Sequence, residues 1–148
     1  MAAITESAEI FIAATPQEIL AVMADAEAMP RWSPLHKSVE VLECDEHNRP
    51  VRAELTMSLF GLSDTHQLGY TWHADGVSWT LLKSSQQRSQ DARYTLVPER
   101  DGTRVRFEIT VRPAVPLPGF LLRRARKPFV DTATRGLRDR VLAEQTNR

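Results

Sequence analysis

Cysteine occurs once in this 148-residue chain, at Cys44, which excludes an internal disulfide and a cysteine-rich metal site. Neither sign of charge is in excess: 19 Lys and Arg stand against 19 Asp and Glu. Phosphate backbones select for a strong basic surplus, so nucleic acid is not expected as a partner. No apolar run approaches the ~20 residues needed to cross a bilayer. Met1-Ala2-Ala3-Ile4-Thr5-Glu6 has neither the basic nor the apolar part of a leader, and a cytoplasmic location is expected. There is no repeat, low-complexity tract or linker composition, so residues 3–146 are expected to form one domain. Hydrophobic content of 42% is enough for a core and argues against disorder.

Motifs for chemistry are equally scarce. The histidines His36, His47, His66 and His73 show no H-E-x-x-H or similar spacing. His66 and His73 are an odd number of residues apart, so one regular strand points them to opposite faces; no metal is expected. Ser33, Ser63, Ser78 and Cys44 lack the context of a nucleophile elbow. Without a Gly-rich phosphate loop, no cofactor is expected either.

What is present is a sequence of clear periods. Ser7 to Ala13 reads as a strand, with Ala8, Ile10 and Ile12 on one face. Thr15, Pro16 and Glu18 then have the spacing of an N-cap, a first helical residue and a capping-box carboxylate. Ile19, Leu20 and Met23 supply a helical stripe. Pro30 and Pro34 limit any second helix, around Ala26 to Met29, to a short one. From His36 the period changes to two. Val39 and Val41 alternate with polar residues, Glu46 to Pro50 marks a turn, and Ala53, Leu55, Met57 and Leu59 alternate again.

Two Asp-Gly pairs predict hairpins and their registers. A type I′ turn at Asp75-Gly76 sets Ala74 opposite Val77, Trp72 opposite Trp79 and Tyr70 opposite Leu81. The same turn at Asp101-Gly102 sets Arg100 opposite Thr103, Pro98 opposite Val105, Leu96 opposite Phe107 and Tyr94 opposite Ile109. Both hairpins place large apolar groups on one side. Thr71, Thr80, Arg104, Arg106 and Glu108 fall on the other. Pro113, Pro116 and Pro118 end the sheet. From Phe120 to about Glu144, Leu121, Ala125, Phe129, Ala133, Leu137 and Val141 recur every fourth residue as a helical stripe, with a bend expected at Pro128. Strands in a run and a long terminal helix give an α+β fold, the helix laid on one sheet face.

Several segments carry a family likeness: Ala13-Ala14-Thr15-Pro16-Gln17-Glu18-Ile19, Asp25 followed by Pro30-Arg31-Trp32-Ser33-Pro34, Val77-Ser78-Trp79, Asp101-Gly102-Thr103-Arg104-Val105 and Pro116-Leu117-Pro118. In this order and spacing the chain, from about Ile4 to Leu142, resembles the START-like helix-grip superfamily. That group (SRPBCC) includes polyketide cyclase/dehydrases and coenzyme Q-binding proteins. The resemblance implies a curved seven-stranded antiparallel sheet wrapped around the last helix, two short helices after the first strand, and a deep cavity. It also implies a hydrophobic or amphipathic small-molecule ligand such as a lipid, quinone or polyketide-like compound.

The candidate pocket lining is Trp32, Leu55, Met57, Leu59, His66, Leu68, Tyr70, Trp79, Leu81, Tyr94, Phe107 and Phe129, against the alternative of a fully packed core. Asp64 and His66 are the best candidates for acid–base chemistry; the alternative is a pair of wet polar groups near a strand start. Arg123, Arg124, Arg126 and Lys127 follow Phe120-Leu121-Leu122 and form a candidate membrane-surface contact, against the alternative of a solvated face paired with acids. The leading expectation is a carrier. A polyketide cyclase/dehydrase-type enzyme and a protein-interaction module without ligand are the other readings.

Overall fold

Thr15 opens the first helix by satisfying backbone donors that have no partner of their own. Its side chain accepts from the Glu18 amide at 3.1 Å, and the Glu18 carboxylate accepts from the Thr15 amide at 3.0 Å. A computed structural model describes residues 3–147; Met1 and Ala2, the start of the segment read above for a leader, and Arg148 lie outside the described residues. Strand β1 (Ile4–Ile12) leads into helix α1 (Pro16–Ala24) and a 3-10 segment, Ala26–Arg31, which accommodates Pro30. Six strands follow: β2 (His36–Cys44), β3 (Pro50–Leu59), β4 (Leu62–His73), β5 (Gly76–Ser84), β6 (Gln87–Glu99) and β7 (Gly102–Pro113). The chain ends in α2 (Gly119–Asp131), a π-helical segment (Thr132–Gly136) and α3 (Leu137–Thr146). The seven strands form one antiparallel sheet in the order β1-β7-β6-β5-β4-β3-β2. This is the expected α+β helix-grip architecture.

The faces of the two Asp-Gly hairpins are as expected, but both registers differ by two residues. Trp72 lies across from Val77 and Tyr70 from Trp79, not Trp72 from Trp79 and Tyr70 from Leu81; Ala74 is a turn residue and faces no strand partner. In the second hairpin Pro98 pairs with Thr103, Leu96 with Val105 and Tyr94 with Phe107, while Arg100 is in the turn. The turn residues are Ala74-Asp75 and Arg100-Asp101. A type I′ turn needs positive φ at both central residues. Only Asp101, at 69°, has it; Ala74, Asp75 and Arg100 do not. The glycines instead open each second strand, where a neighbouring backbone comes close. A Cβ on Gly76 would meet the Tyr94 carbonyl oxygen at 1.9 Å, and one on Gly102 the Ile12 carbonyl oxygen at 2.4 Å. The type I′ pattern occurs at Phe60-Gly61, with φ of 52° and 79°, between Leu59 and its partner Leu62.

The last helix runs through Pro128 and departs from α geometry just beyond it. Thr132 Oγ1 donates to the Pro128 carbonyl and Thr134 Oγ1 to the Val130 carbonyl, both at 2.7 Å. A strict four-residue repeat over-rotates an α-helix by about 40° per step. The wider π turn absorbs part of that drift and keeps Leu137 and Val141 buried. These two join Ile12, Ile19, Val105 and Phe107 in the main core, which lies between the helix and the β1, β6 and β7 side of the sheet.

Candidate ligand site

Alternation along β3 and β4 turns Ala53, Leu55 and Met57 to the concave face beside their partners Leu68, His66 and Asp64. Ala53, Leu55 and Leu68 are buried and form a second apolar cluster, flanked by Val39, Tyr70, Trp79 and Leu81. No helical residue belongs to it. On the same face Met57, Leu59, Tyr70, Trp79 and Leu81 keep part of their surface uncovered. Helix α2 has no fully buried residue, Phe129 included. These partly exposed side chains contrast with the packed region at β6 and β7. There Tyr94 and Phe107 stack at 4.8 Å, and Phe107 lies 6.1 Å from Phe129. Trp79 links the two regions, 5.9 Å from Tyr70 and 5.8 Å from Tyr94. The Tyr94 hydroxyl donates to the Ala133 carbonyl at 2.7 Å and fastens β6 to the π segment. Burial raises the pKa of both Tyr70 and Tyr94, so both hydroxyls stay protonated.

A polar band crosses this concave face near its open end. Trp79 Nε1 donates to Gln90 Oε1 at 2.8 Å, Gln90 Nε2 to Gln87 Oε1 at 2.8 Å, and Gln87 Nε2 to Asp64 Oδ2 at 2.6 Å. Ser84 Oγ donates to Asp64 Oδ1 at 3.0 Å. His66 adjoins the end of this chain, its Nδ1 3.3 Å from Asp64 Oδ2. Its side chain is only 1% exposed. The reading of His66 as a wet edge group is thereby corrected: β4 begins four residues earlier, and its ring is enclosed on the concave side. Nε2 has no hydrogen-bond partner, and Nδ1 has only Asp64 beside it. Desolvation lowers the His66 pKa, and Asp64 opposes it through its carboxylate charge and a backbone hydrogen bond. On β2, His36 Nδ1 is 2.6 Å from Ser33 Oγ, and its partner strand residue is Met57. Burial first, and the neighbouring His66 second, push the His36 pKa down to about 4.

The His36 shift predicts an acid sensitivity. The folded protein holds His36 neutral, whereas the unfolded chain takes up a proton below pH 6.5. Between those values the unfolded state binds more protons, so stability falls as pH drops from 6.5 toward 4. The loss attributable to His36 is about 3 kcal/mol. Urea unfolding at pH 7.5 and pH 4.5 should show a clearly smaller drop for His36→Gln than for the wild type. Parallel pH dependence in the two would remove His36 as the cause.

Of the residues expected from sequence, Leu55, Met57, Leu59, His66, Leu68, Tyr70, Trp79 and Leu81 come together on the concave side of β3–β5. Tyr94, Phe107 and Phe129 belong to the adjoining packed cluster. Trp32 stands apart, near Gly136 of the π segment and in the wall of a hollow of about 80 Å³ between α1 and α3. Sequence reasoning missed Ser33, His36, Ser84, Gln87 and Gln90. The Ser33-x-x-His36 spacing is local, but the glutamines meet Asp64 only through strand pairing. A larger groove of about 390 Å³ involves Glu54, Thr65, Gln67 and Lys83 of the opposite sheet face, with His66 and Ser84 also in its wall. The residues that line it all carry polar side chains.

The basic run is partly engaged. Arg126 pairs with Glu6 and Lys127 with Asp131, each at 2.8 Å. The Arg124 guanidinium lies 5.0 Å from the Phe60 ring, so α2 touches the β3–β4 turn. Phe60 in that turn, Leu62 at the start of β4, Val115 and Leu117 between β7 and α2, and Phe120 at the start of α2 are exposed. Among the described residues no helix is long and apolar enough to cross a membrane, and no group of three or more His, Cys, Asp or Glu is placed to hold a metal ion.

The family model described as polyketide cyclase / dehydrase and lipid transport matches residues 12–138. Similar solved structures include a START superfamily protein from Mycobacterium smegmatis, 22% identical over 95% of this chain and 97% of that one, TM-score 0.77. The Zhui aromatase/cyclase from Streptomyces sp. R1128 is 13% identical over 99% and 96%, TM-score 0.76. A STAR-related lipid transfer protein from Xanthomonas axonopodis is 19% identical over 93% and 85%, TM-score 0.70. At these identities the likeness concerns the fold. No curated protein matches the chain in sequence.

Proposed function

The chain belongs to the polyketide cyclase/dehydrase and lipid transport family, and from that premise we propose that it binds a hydrophobic or amphipathic small molecule between α2 and the concave face of β3–β5. One observation carries the reading. Large apolar side chains on that face stay partly exposed, and α2 has no fully buried residue. A fully packed domain would cover such side chains, because interiors reach crystal-like density. A ligand-free interaction module is less well supported for the same reason. Carriage rather than catalysis is favoured because most polar groups nearby bond to one another. Trp79, Gln90, Gln87, Ser84 and Asp64 form a closed relay and do not converge on an open point.

The test is direct. N-phenyl-1-naphthylamine, a neutral fluorescent probe, should bind saturably at one molecule per chain. Met57→Trp and Leu81→Trp should each weaken it at least tenfold while circular dichroism stays unchanged. Saturable binding indifferent to both substitutions would place the probe elsewhere and reject this site.

The enzymatic reading rests on the buried Asp64–His66 pair. A group in acid–base chemistry typically contributes ~10²–10⁴-fold in rate. A ligand that co-purifies with the protein should keep its mass on prolonged incubation with the wild type. Conversion that His66→Ala abolishes at unchanged affinity would make the protein an enzyme.

A further inference from the structure

His66 is a costly choice for its position. Its neighbours across the sheet are Leu55 and the β5 terminus, and its side chain is 1% exposed. Both ring nitrogens are buried; Nδ1 has only Asp64 beside it and Nε2 has no hydrogen-bond partner. Buried polar groups are overwhelmingly paired, and an orphaned one destabilises the fold unless something else meets it. A leucine here would extend the apolar cluster of Leu55 and Leu68 with no orphan. No surrounding polar group meets Nε2. Asp64 already accepts from Ser84 and Gln87. Ser33 is turned to His36.

The two ring nitrogens differ in what they face. Nδ1 is on the Asp64 side, 3.3 Å from the carboxylate, where an acceptor favours an N–H. Nε2 is then left as a lone pair without a donor. Apolar surface that is only partly covered lies on the same concave side, at Met57, Tyr70 and Leu81. Of these Met57, paired with Asp64 and His36, has the flexible side chain that can move aside for an incoming group.

We propose that His66 Nε2 is the seat for a hydroxyl on the ligand, so that the protein selects hydroxyl-bearing apolar molecules, such as phenols and enols, over their pure hydrocarbon counterparts. This rests on the binding space between α2 and β3–β5. The hydroxyl enters as hydrogen-bond donor, and no covalent step is involved. An anionic head group fits less well, since Asp64 stands beside the imidazole.

The experiment compares 2-naphthol with 2-methylnaphthalene, near-isosteres that differ in the donor, on the wild type and on His66→Phe. The affinity ratio of naphthol to methylnaphthalene should fall about tenfold in His66→Phe, the scale of one buried hydrogen bond. The variant should still bind both probes. A second readout needs no variant: on addition of 2-naphthol, the His66 Nε2 resonance in a ¹⁵N–¹H long-range spectrum should move, and 2-methylnaphthalene should leave it in place. An equal ratio in the two proteins, or a stationary Nε2 signal at saturating naphthol, overturns the hydroxyl seat while leaving the binding space intact. Failure of both probes to bind the wild type removes the binding space and the seat with it.

Discussion

Gly76→Ala should unfold the protein or cost at least about 3 kcal/mol of stability. The added Cβ would lie 1.9 Å from the Tyr94 carbonyl oxygen and 2.9 Å from its carbon. Both are main-chain atoms of β6, so no side-chain rotation relieves the clash. The φ of Gly76, 153°, is one that residues with a side chain rarely adopt. The substitution can be accommodated only by separating β5 from β6 where Val77 pairs with Tyr94, at the edge of the main core. Urea unfolding followed by far-ultraviolet circular dichroism measures the effect. Asp75→Ala is the matched control. Its side chain makes a half-exposed ion pair with Arg93, and exposed pairs contribute at most about 1 kcal/mol. A Gly76→Ala protein as stable as the control would mean that β5 and β6 do not approach as described.

Phe107→Ala should cost about 3–5 kcal/mol, the usual range for an aromatic-to-alanine change in a core. Phe107 is 2% exposed. Its ring lies 4.8 Å from Tyr94, 6.2 Å from Trp79 and 6.1 Å from Phe129, so it connects β5, β6 and the last helix. The void left by truncation cannot collapse easily, because its walls belong to different elements. Thermal and urea unfolding should agree on the loss, and Trp79 emission should shift as its neighbour disappears. Val97→Ala, on a half-exposed site of β6, should stay within about 0.5 kcal/mol of the wild type. Equal stability of the two variants would show that Phe107 is not the packing centre assigned to it.

Local chemistry was legible in the sequence wherever a few adjacent residues decide the outcome. Thr15, Pro16 and Glu18 announce the start of α1 because the capping bonds span only three positions. The faces of β4 to β7 were legible too: a register displaced by two residues leaves every side chain on its original face. That is why Thr71 and Thr80 point outward as expected although every pairing in their hairpin differs. Register itself was misread because Asp-Gly carries two possible meanings. Glycine serves a positive φ in a turn, or it admits a neighbouring backbone, and Gly76 and Gly102 do the second. The β3–β4 turn was hidden for the opposite reason. Phenylalanine at Phe60 gives no turn signal, yet it adopts a φ of 52°.

The pocket candidates on β3–β5 follow from alternation alone, and they come together. The polar band does not follow from it. Asp64 meets Gln87 only because β5 ends at Ser84 and β6 begins at Gln87, so that three strand ends coincide. Such coincidences depend on strand lengths, which periodicity leaves loose by a residue or two. The burial of His66 was obscured for the same reason: its distance from the nearest turn fixes whether it is wet, and that turn carried no signature.

The order of the strands also governs how the chain must assemble. Each strand from β2 to β6 lies beside its successor, so this meander can form through short, successive closures. Strand β1 is the exception. It is made first, yet Ile4 to Ile12 pair with Val111 to Thr103, about 90 to 107 residues later. Closing so long a loop carries an entropic cost that is met only when β7 already exists to receive it. During synthesis the N-terminal strand therefore waits, its Ile10 and Ile12 side chains uncovered, until the ribosome has delivered the last strand of the sheet. The Thr103 hydroxyl then donates to the Ala14 carbonyl at 2.7 Å and locks the earliest segment onto one of the latest.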